Sequence, residues 1–274
     1  MTVINTNVNA LFAQNAMKVN SRNLTNAMEQ LSTGQRINSA KDDAAGLAIT
    51  NTMTSNIRGL AQAVRNANDG VSMLQTAEGA MIEQTNMLQR MRELAVQAST
   101  ATYSTTQIGY LDTEFQALDT QINNIAAQTT WNGTSLLNVS GGSSQSFVIG
   151  SKGTEVISVT IANTTNTASG LATTSLAVSS TASAAAAITA IDTALGSINS
   201  ARAAIGAGIN QLTYAADNLN NVIQNTTASR SQILDTDYAT TTTKLASAQI
   251  IAQAATAMLA QANQSQQGVL ALLK

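Results

Sequence analysis

Apolar residues recur along most of this chain in alternating steps of three and four, and that spacing constrains the fold more than any other feature. From Met53 the series runs through Ile57, Leu60, Val64, Ala67, Val71 and Leu74, then skips by seven through Met81, Leu88 and Ala95. A repeat near 3.5 keeps one face of an α-helix against a partner, whereas a strand needs a repeat of two. Ile108, Leu111, Phe115, Leu118, Ile122 and Ile125 form a second uninterrupted series. A third runs Ile188, Ile191, Leu195, Ile198, Ile205, Ile209, Leu212, Ala216, Leu219 and Ile223, missing only at Arg202. The predicted class is mainly α, with long helices side by side in a coiled-coil bundle. A helix of about 50 residues is about 75 Å long, so the expected body is a rod. Proline breaks helix interiors, and the 274 residues contain none.

Glu78, Thr85 and Arg92 stand at the skipped seam positions. Polar groups there are either defects or devices that fix register and orientation, and the second reading is preferred. Nine methionines lie along the helical stretches and read as flexible core filler.

The two ends carry weaker seams. Ala10, Met17, Leu24 and Leu31 are seven apart, preceded by Ile4, Val8 and Leu11. Leu245, Ala248, Ala252, Ala255, Leu259, Ala262, Gln266, Val269 and Leu273 alternate threes and fours. One Ala-rich seam buries little area to offset the entropy of ordering. These ends are therefore expected to become helical only when packed against others, which points to polymerisation. The expected polymerisation core is Ile4, Val8, Leu11, Met17, Leu24, Leu31, Leu245, Leu259, Val269, Leu270, Leu272 and Leu273.

Between about Ser140 and Ala182 the helical period gives way to Ser, Thr, Gly and Asn. Phe147–Ile149 and Val156–Ile161 flank Gly150-Ser151-Lys152-Gly153, and Ile157, Val159 and Ile161 alternate with polar residues. A β-hairpin near 145–162 with a short glycine-bearing turn is predicted. The Ser/Thr-rich stretch 163–183 reads as a surface excursion or connector.

Absent residue types exclude much chemistry. With no His and no Cys there is no Ser-His-Asp triad, no cysteine nucleophile, no imidazole or thiolate zinc site and no disulfide. Nothing clusters an acid/base pair or a phosphate-binding glycine loop, so no catalytic, metal or cofactor site is expected. The net charge of -2 gives no basic surplus for nucleic acid. No stretch approaches the roughly 20 continuous apolar residues of a membrane span, so no membrane insertion is expected. The start Met-Thr-Val-Ile-Asn-Thr-Asn lacks the basic and apolar runs of a cleavable signal peptide. Asp42-Asp43 and Asp235-Thr236-Asp237 read as loop and helix-start residues rather than cation ligands. Asn132-Gly133-Thr134 matches a glycosylation sequon of the kind that arises by chance in an Asn/Thr-rich chain.

Long motifs carry a family resemblance. Leu31-Ser32-Thr33-Gly34-Gln35-Arg36-Ile37-Asn38-Ser39-Ala40-Lys41-Asp42-Asp43-Ala44-Ala45-Gly46-Leu47-Ala48-Ile49 resembles the N-terminal signature of bacterial flagellins. So do Arg65–Gly70, Gln75–Ala80 and Leu88–Gln97, while Ala260–Asn263 and Gly268–Lys274 resemble the family's C-terminus. The resemblance covers about the first 140 and last 90 residues and marks a short form without large outer domains. It implies a subunit that polymerises into the flagellar filament for swimming motility, secreted unfolded through the flagellar type III export apparatus. It also implies termini paired as a coiled coil in an inner domain, 1–44 with 236–274, surrounded by a domain of residues 45–235. Implied partners are further copies of the chain, a flagellin export chaperone, the filament cap and the hook-junction proteins. Many flagellins carry Pro where this chain has Gln266.

Arg90, Glu93, Leu94 and Gln97 fall on one helical face by their spacing. Their plain reading is an inter-subunit contact. By the resemblance, the same face with Glu114 is bound by the Toll-like innate receptor for flagellin, and the C-terminal leucines by a cytosolic inflammasome sensor. Two other readings are the hook–filament junction protein, which resembles flagellin at both ends, and a non-polymerising secreted helical adhesin. The unbroken signature from Leu31 to Ile49 and the terminal Val-Leu-Ala-Leu-Leu favour flagellin.

Overall fold

The computed structural model describes residues 6–167 and 170–271, the last seven of these as backbone. Among them the order is α1 (Val8–Thr33), α2 (Ala44–Ala98), α3 (Thr105–Gln128), β1 (Thr130–Trp131), β2 (Thr134–Ser135), β3 (Ser143–Val148), β4 (Val156–Ile161), α4 (Thr181–Leu234) and α5 (Tyr238–Ala271). The fold is mainly α with two small antiparallel hairpins, the class that the spacing predicts. Helix starts are capped by short polar side chains. Asn7 accepts from Ala10 N, Ser104 and Gln107 make a reciprocal capping box, and Asp43 accepts from Gly46 N at 2.9 Å. Asp42 accepts from Ser39 N and Oγ and from Asn38 N. Both carboxylates of the Asp42-Asp43 pair thus organise the turn into α2.

Two compact units form, one from Met1–Ser55 with Asn225–Lys274 and one from Asn56–Gln224. The division falls inside α2 and α4, because the first turns of α2 and the last of α4 join the terminal unit.

In the 56–224 unit, every seventh residue of α2 from Ala67 to Ala95 is fully buried, as are Phe115 and Ile122 of α3, and Ile108 is nearly so. The buried stripe of α4 is Ala184, Ala187, Ile191, Ala194, Ile198, Ala201, Ile205, Gly208, Leu212, Ala216 and Leu219. Ile188, Leu195 and Ile209, counted in the predicted seam, sit half-buried at its edge. Small residues at alternate buried positions let other elements approach the α4 backbone. By length and composition α4 is apolar enough to cross a membrane, but its stripe is the core of this unit.

The skipped seam positions find partners. Arg92 bonds Asp192 at 2.7 Å and Glu78 meets Arg202 at 3.8 Å, while the Thr85 hydroxyl donates to Met81 O of its own helix. The two ion pairs advance along α2 as they retreat along α4, which aligns the helices antiparallel in one register.

The larger hairpin pairs Ser143 with Ile161 and Val148 with Val156, and Ile149 N donates to Glu155 O beyond the last pair, so residues 150–154, with Gly150 and Gly153 among them, close it. It rests on glycines. A Cβ at Gly208 would lie 2.6 Å from Val159 Cγ2, one at Gly70 2.7 Å from Phe147 Cδ1, and one at Gly59 3.1 Å from Ser151 Cβ. The Asn66 amide donates to Val148 O at the same seat. The smaller hairpin has Asn132 and Gly133 at φ 49 and 79, the left-handed pair that a type I′ turn requires. The sequon match is thus first of all a tight turn.

The described residues between β4 and α4 do not run free over the surface. Thr164, Thr165, Leu171, Thr173 and Val178 are buried. Asp119 accepts from Thr173 Oγ1 (2.7 Å) and Asn166 Nδ2 (2.8 Å), Asp112 from Val178 N, and Gln116 donates to Leu176 O. Asp112, Gln116 and Asp119 advance by four and three along α3 and clamp the connector to it.

Candidate assembly and recognition faces

In the terminal unit α1 and α5 pack antiparallel. Asn20 Nδ2 donates to Ala248 O at 2.8 Å and Asn7 Nδ2 to Ala262 O at 3.0 Å. Buried Ala27 and Ala248 let these helices approach, and the side-chain amides reach carbonyls of the facing helix. Both partners of this pairing belong to one chain, the arrangement of the termini that the resemblance implies.

The helix breaks brace one another. Arg36 N donates to Leu234 O, Arg36 Nη2 to Ile233 O at 2.7 Å, and Thr236 N to Gly34 O. Arg36 therefore places a cation on the C-terminal carbonyls of α4, where the helix dipole favours it. Gly34 ends α1 at φ 71, a left-handed conformation suited to glycine.

The predicted polymerisation residues separate into two sets. Met17, Leu24, Leu31, Leu245 and Leu259 are half-buried, on the seam positions of the paired helices, whereas Val8 and Leu11 are exposed. Ile4, Leu272 and Leu273 lie outside the described residues, as do the side chains of Val269 and Leu270. Among the described residues of this unit, the most open apolar groups were not the predicted ones: Phe12 is 71% exposed, Ile250 66% and Met258 63%, with Val19, Met28 and Ile251 also exposed. Phe12 and Val19 are seven apart, as are Ile251 and Met258. That short second stripe was the available signal.

On the other unit, Arg90 donates to Glu114 (2.9 Å) and to Glu93 (3.1 Å), joining α2 to α3. The hydrogen bond that Arg90 donates to Glu114, then the one to Glu93, raises its guanidinium further above its ordinary range. Gln97 donates to Tyr103 Oη beside them. Arg90, Glu93, Gln97 and Glu114 are exposed, but Leu94 does not belong with them. At 1% exposure it is core. At about 100° per residue, Leu94 is rotated from Arg90 towards Met91 and Ala98, both fully buried. Three- and four-residue steps span an arc wide enough to cross from solvent into the core.

Residues 4–141 match the bacterial flagellin N-terminal helical region and residues 188–273 the C-terminal helical region. The unmatched stretch between them holds β3, β4 and the connector. Over 272 residues the chain is 41% identical to a flagellin of Halalkalibacterium halodurans, covering 99% of this chain and 100% of that one. It is 51% identical over 158 residues to flagellin A of Vibrio anguillarum, covering 57% of this chain and 41% of the longer relative. The crystal structure of Bacillus cereus flagellin aligns at TM-score 0.51 and 31% identity, covering 57% of this chain and 88% of that one. Matches to both terminal regions, and to one relative from end to end, establish that this chain belongs to the bacterial flagellin family.

Proposed function

We propose that the chain is the structural subunit of an extracellular flagellar filament and polymerises through the outward faces of α1 and α5. The observation that carries this is the end-to-end match to a flagellin, joined to a terminal helix pair that has satisfied its own seam and still exposes Phe12, Val19, Ile250, Ile251 and Met258. A face that does not close on itself gives head-to-tail contacts and an open helical polymer. Fully burying five large apolar side chains is worth about 8–15 kcal/mol, and the fraction still exposed here carries about 4–9 kcal/mol of that. This reaches the lower part of the association cost of about 4–15 kcal/mol. Several neighbours in a helical lattice share the remainder, and highly exposed Tyr110 and Tyr214 on the other unit are available to them.

In this reading residues 1–44 with 236–274 form the inner domain and 45–235 the surrounding one. An export chaperone covers the C-terminal helix, the chain leaves unfolded through the flagellar export apparatus, and it adds beneath the cap on a filament begun at the hook-junction proteins. The Arg90, Glu93, Gln97 and Glu114 cluster is the face for an inter-subunit contact and, on the free subunit, for the Toll-like receptor.

Seeded polymerisation followed by sedimentation and electron microscopy tests the proposal. The unaltered chain extends long tubes, which a hook-junction protein or an adhesin does not. Phe12→Asp combined with Ile251→Asp keeps the helical circular dichroism of the subunit and abolishes the tubes. Normal tubes from that variant would refute the assignment of the face.

A further inference from the structure

The methionines divide by environment. Met73, Met81 and Met91 are buried, and Met17, Met53 and Met87 are half-buried. Met28 on α1 and Met258 on α5 stand 48% and 63% exposed. Both lie in the terminal unit, on the two helices whose outward faces are assigned to assembly. Met1 is outside the described residues.

A thioether sulfur reacts with a hydroperoxide in one oxygen transfer. The sulfur lone pair attacks the terminal oxygen, an S–O bond forms as the O–O bond breaks, and the proton passes to the departing oxygen so that ROOH leaves as ROH. Sulfur is oxidised by two electrons and the peroxide reduced by two. The product is a polar, chiral sulfoxide in place of a flexible apolar group. Access to the sulfur governs where this happens, and in the subunit Met28 and Met258 are far more open than the core methionines.

We propose that Met28 and Met258 form an oxidation site of the unpolymerised subunit, whose modification by a hydroperoxide blocks addition to the filament. The proposal rests on the reading that the outward faces of α1 and α5 become subunit contacts. Because both side chains project from the folded subunit, a sulfoxide there leaves the fold intact and falls on the assembly step. Burying a polar sulfoxide without a hydrogen-bond partner opposes polymerisation. The linkage is reciprocal: a polymer that covers the sulfurs protects them, and oxidised sulfurs favour the free subunit. Methionine sulfoxide reductases, one for each epimer, reverse the modification.

The test treats purified subunit and preformed filaments with hydrogen peroxide, maps sulfoxides by peptide mass spectrometry, and measures the critical concentration by sedimentation. In the free subunit Met28 and Met258 oxidise ahead of Met17 and the core methionines, and in filaments they are protected at least about tenfold. The oxidised subunit keeps its circular dichroism and its critical concentration rises at least about tenfold, returning after reductase treatment. Measured against its own untreated baseline, the M28L/M258L variant shows no rise in critical concentration after peroxide. Equal oxidation in filament and subunit, unchanged polymerisation of oxidised subunit, or continued sensitivity of M28L/M258L would each overturn the proposal. If that double variant fails to assemble, the protection map on the unaltered protein decides. Failure of the unaltered, unoxidised subunit to form filaments removes the filament reading and this proposal together. Normal assembly after oxidation removes this proposal alone.

Discussion

Two glycines two residues apart in α4 are expected to respond to the same substitution with opposite sign. A helical glycine costs about 1 kcal/mol relative to alanine. At Gly206 a Cβ would meet nothing within 4 Å, so Gly206→Ala gains the propensity with no opposing contact. At Gly208 the added carbon would lie 2.6 and 2.9 Å from the two γ-carbons of Val159 and 3.3 Å from its Cβ. Rotating Val159 moves only the γ-carbons, and its short Cβ distance means that β4 itself has to shift. Overpacking of this kind costs about 1–3 kcal/mol. Against the same gain of about 1 kcal/mol, Gly208→Ala is destabilising by up to about 2 kcal/mol, and Gly206→Ala is stabilising by about 0.5–1 kcal/mol. Urea unfolding of the subunit, followed by circular dichroism and by the fluorescence of Trp131, the single tryptophan, measures both. For a unit of this size each 1 kcal/mol corresponds to about 2–4 °C in Tm. If the two variants shift stability equally, or if Gly206→Ala is the more damaging, the seating of the hairpin on α4 is wrong.

Three further outcomes follow from the same geometry. Deleting residues 260–274 leaves a folded 56–224 unit by circular dichroism but no polymer; normal sedimentation of filaments from the truncated chain refutes this. Leu94→Ala lowers unfolding stability by about 2–5 kcal/mol as a core cavity, whereas Arg90→Ala leaves unfolding nearly unchanged and weakens receptor signalling; signalling that is intact in Arg90→Ala removes the receptor assignment. Asp192 is held below its ordinary carboxylate range, first by the hydrogen bond from Arg92 and then by its charge. A depressed native value means the stabilisation is complete above the unfolded value near 3.8 and is lost as pH falls through the native one. Asp192→Asn should therefore flatten the acid side of the stability profile, and an unchanged profile refutes the contribution.

The helices were legible because their burial is periodic: Ala67, Leu74, Met81, Leu88 and Ala95 mark the core of α2 in sequence as in space. The larger hairpin was legible from the alternation of Ile157, Val159 and Ile161. The connector was not, because its burial comes from side-chain hydrogen bonds to Asp119, Asp112 and Gln116 rather than from a periodic apolar stripe. Thr and Ser runs look alike in sequence whether they face solvent or a carboxylate. Asn132-Gly133 is a readable turn signal in its own right, beneath the chance sequon match that it makes with Thr134. On α1 and α5, counting one seam per helix found the residues that face the partner helix and passed over Phe12, Ile250 and Met258 on the faces left open. Leu94 shows the limit of face arguments, since a residue four positions from an exposed arginine is already core.

The most direct test of the central claim is a side-chain-resolution image reconstruction of filaments grown from the purified chain. The account predicts continuous helical tubes in which α1 and α5 of each subunit remain paired as Asn20 and Ala248 place them, with Phe12, Ile251 and Met258 covered by neighbouring copies. Tubes in which these three side chains face open solvent, or a chain that stays monomeric on competent seeds, would contradict it.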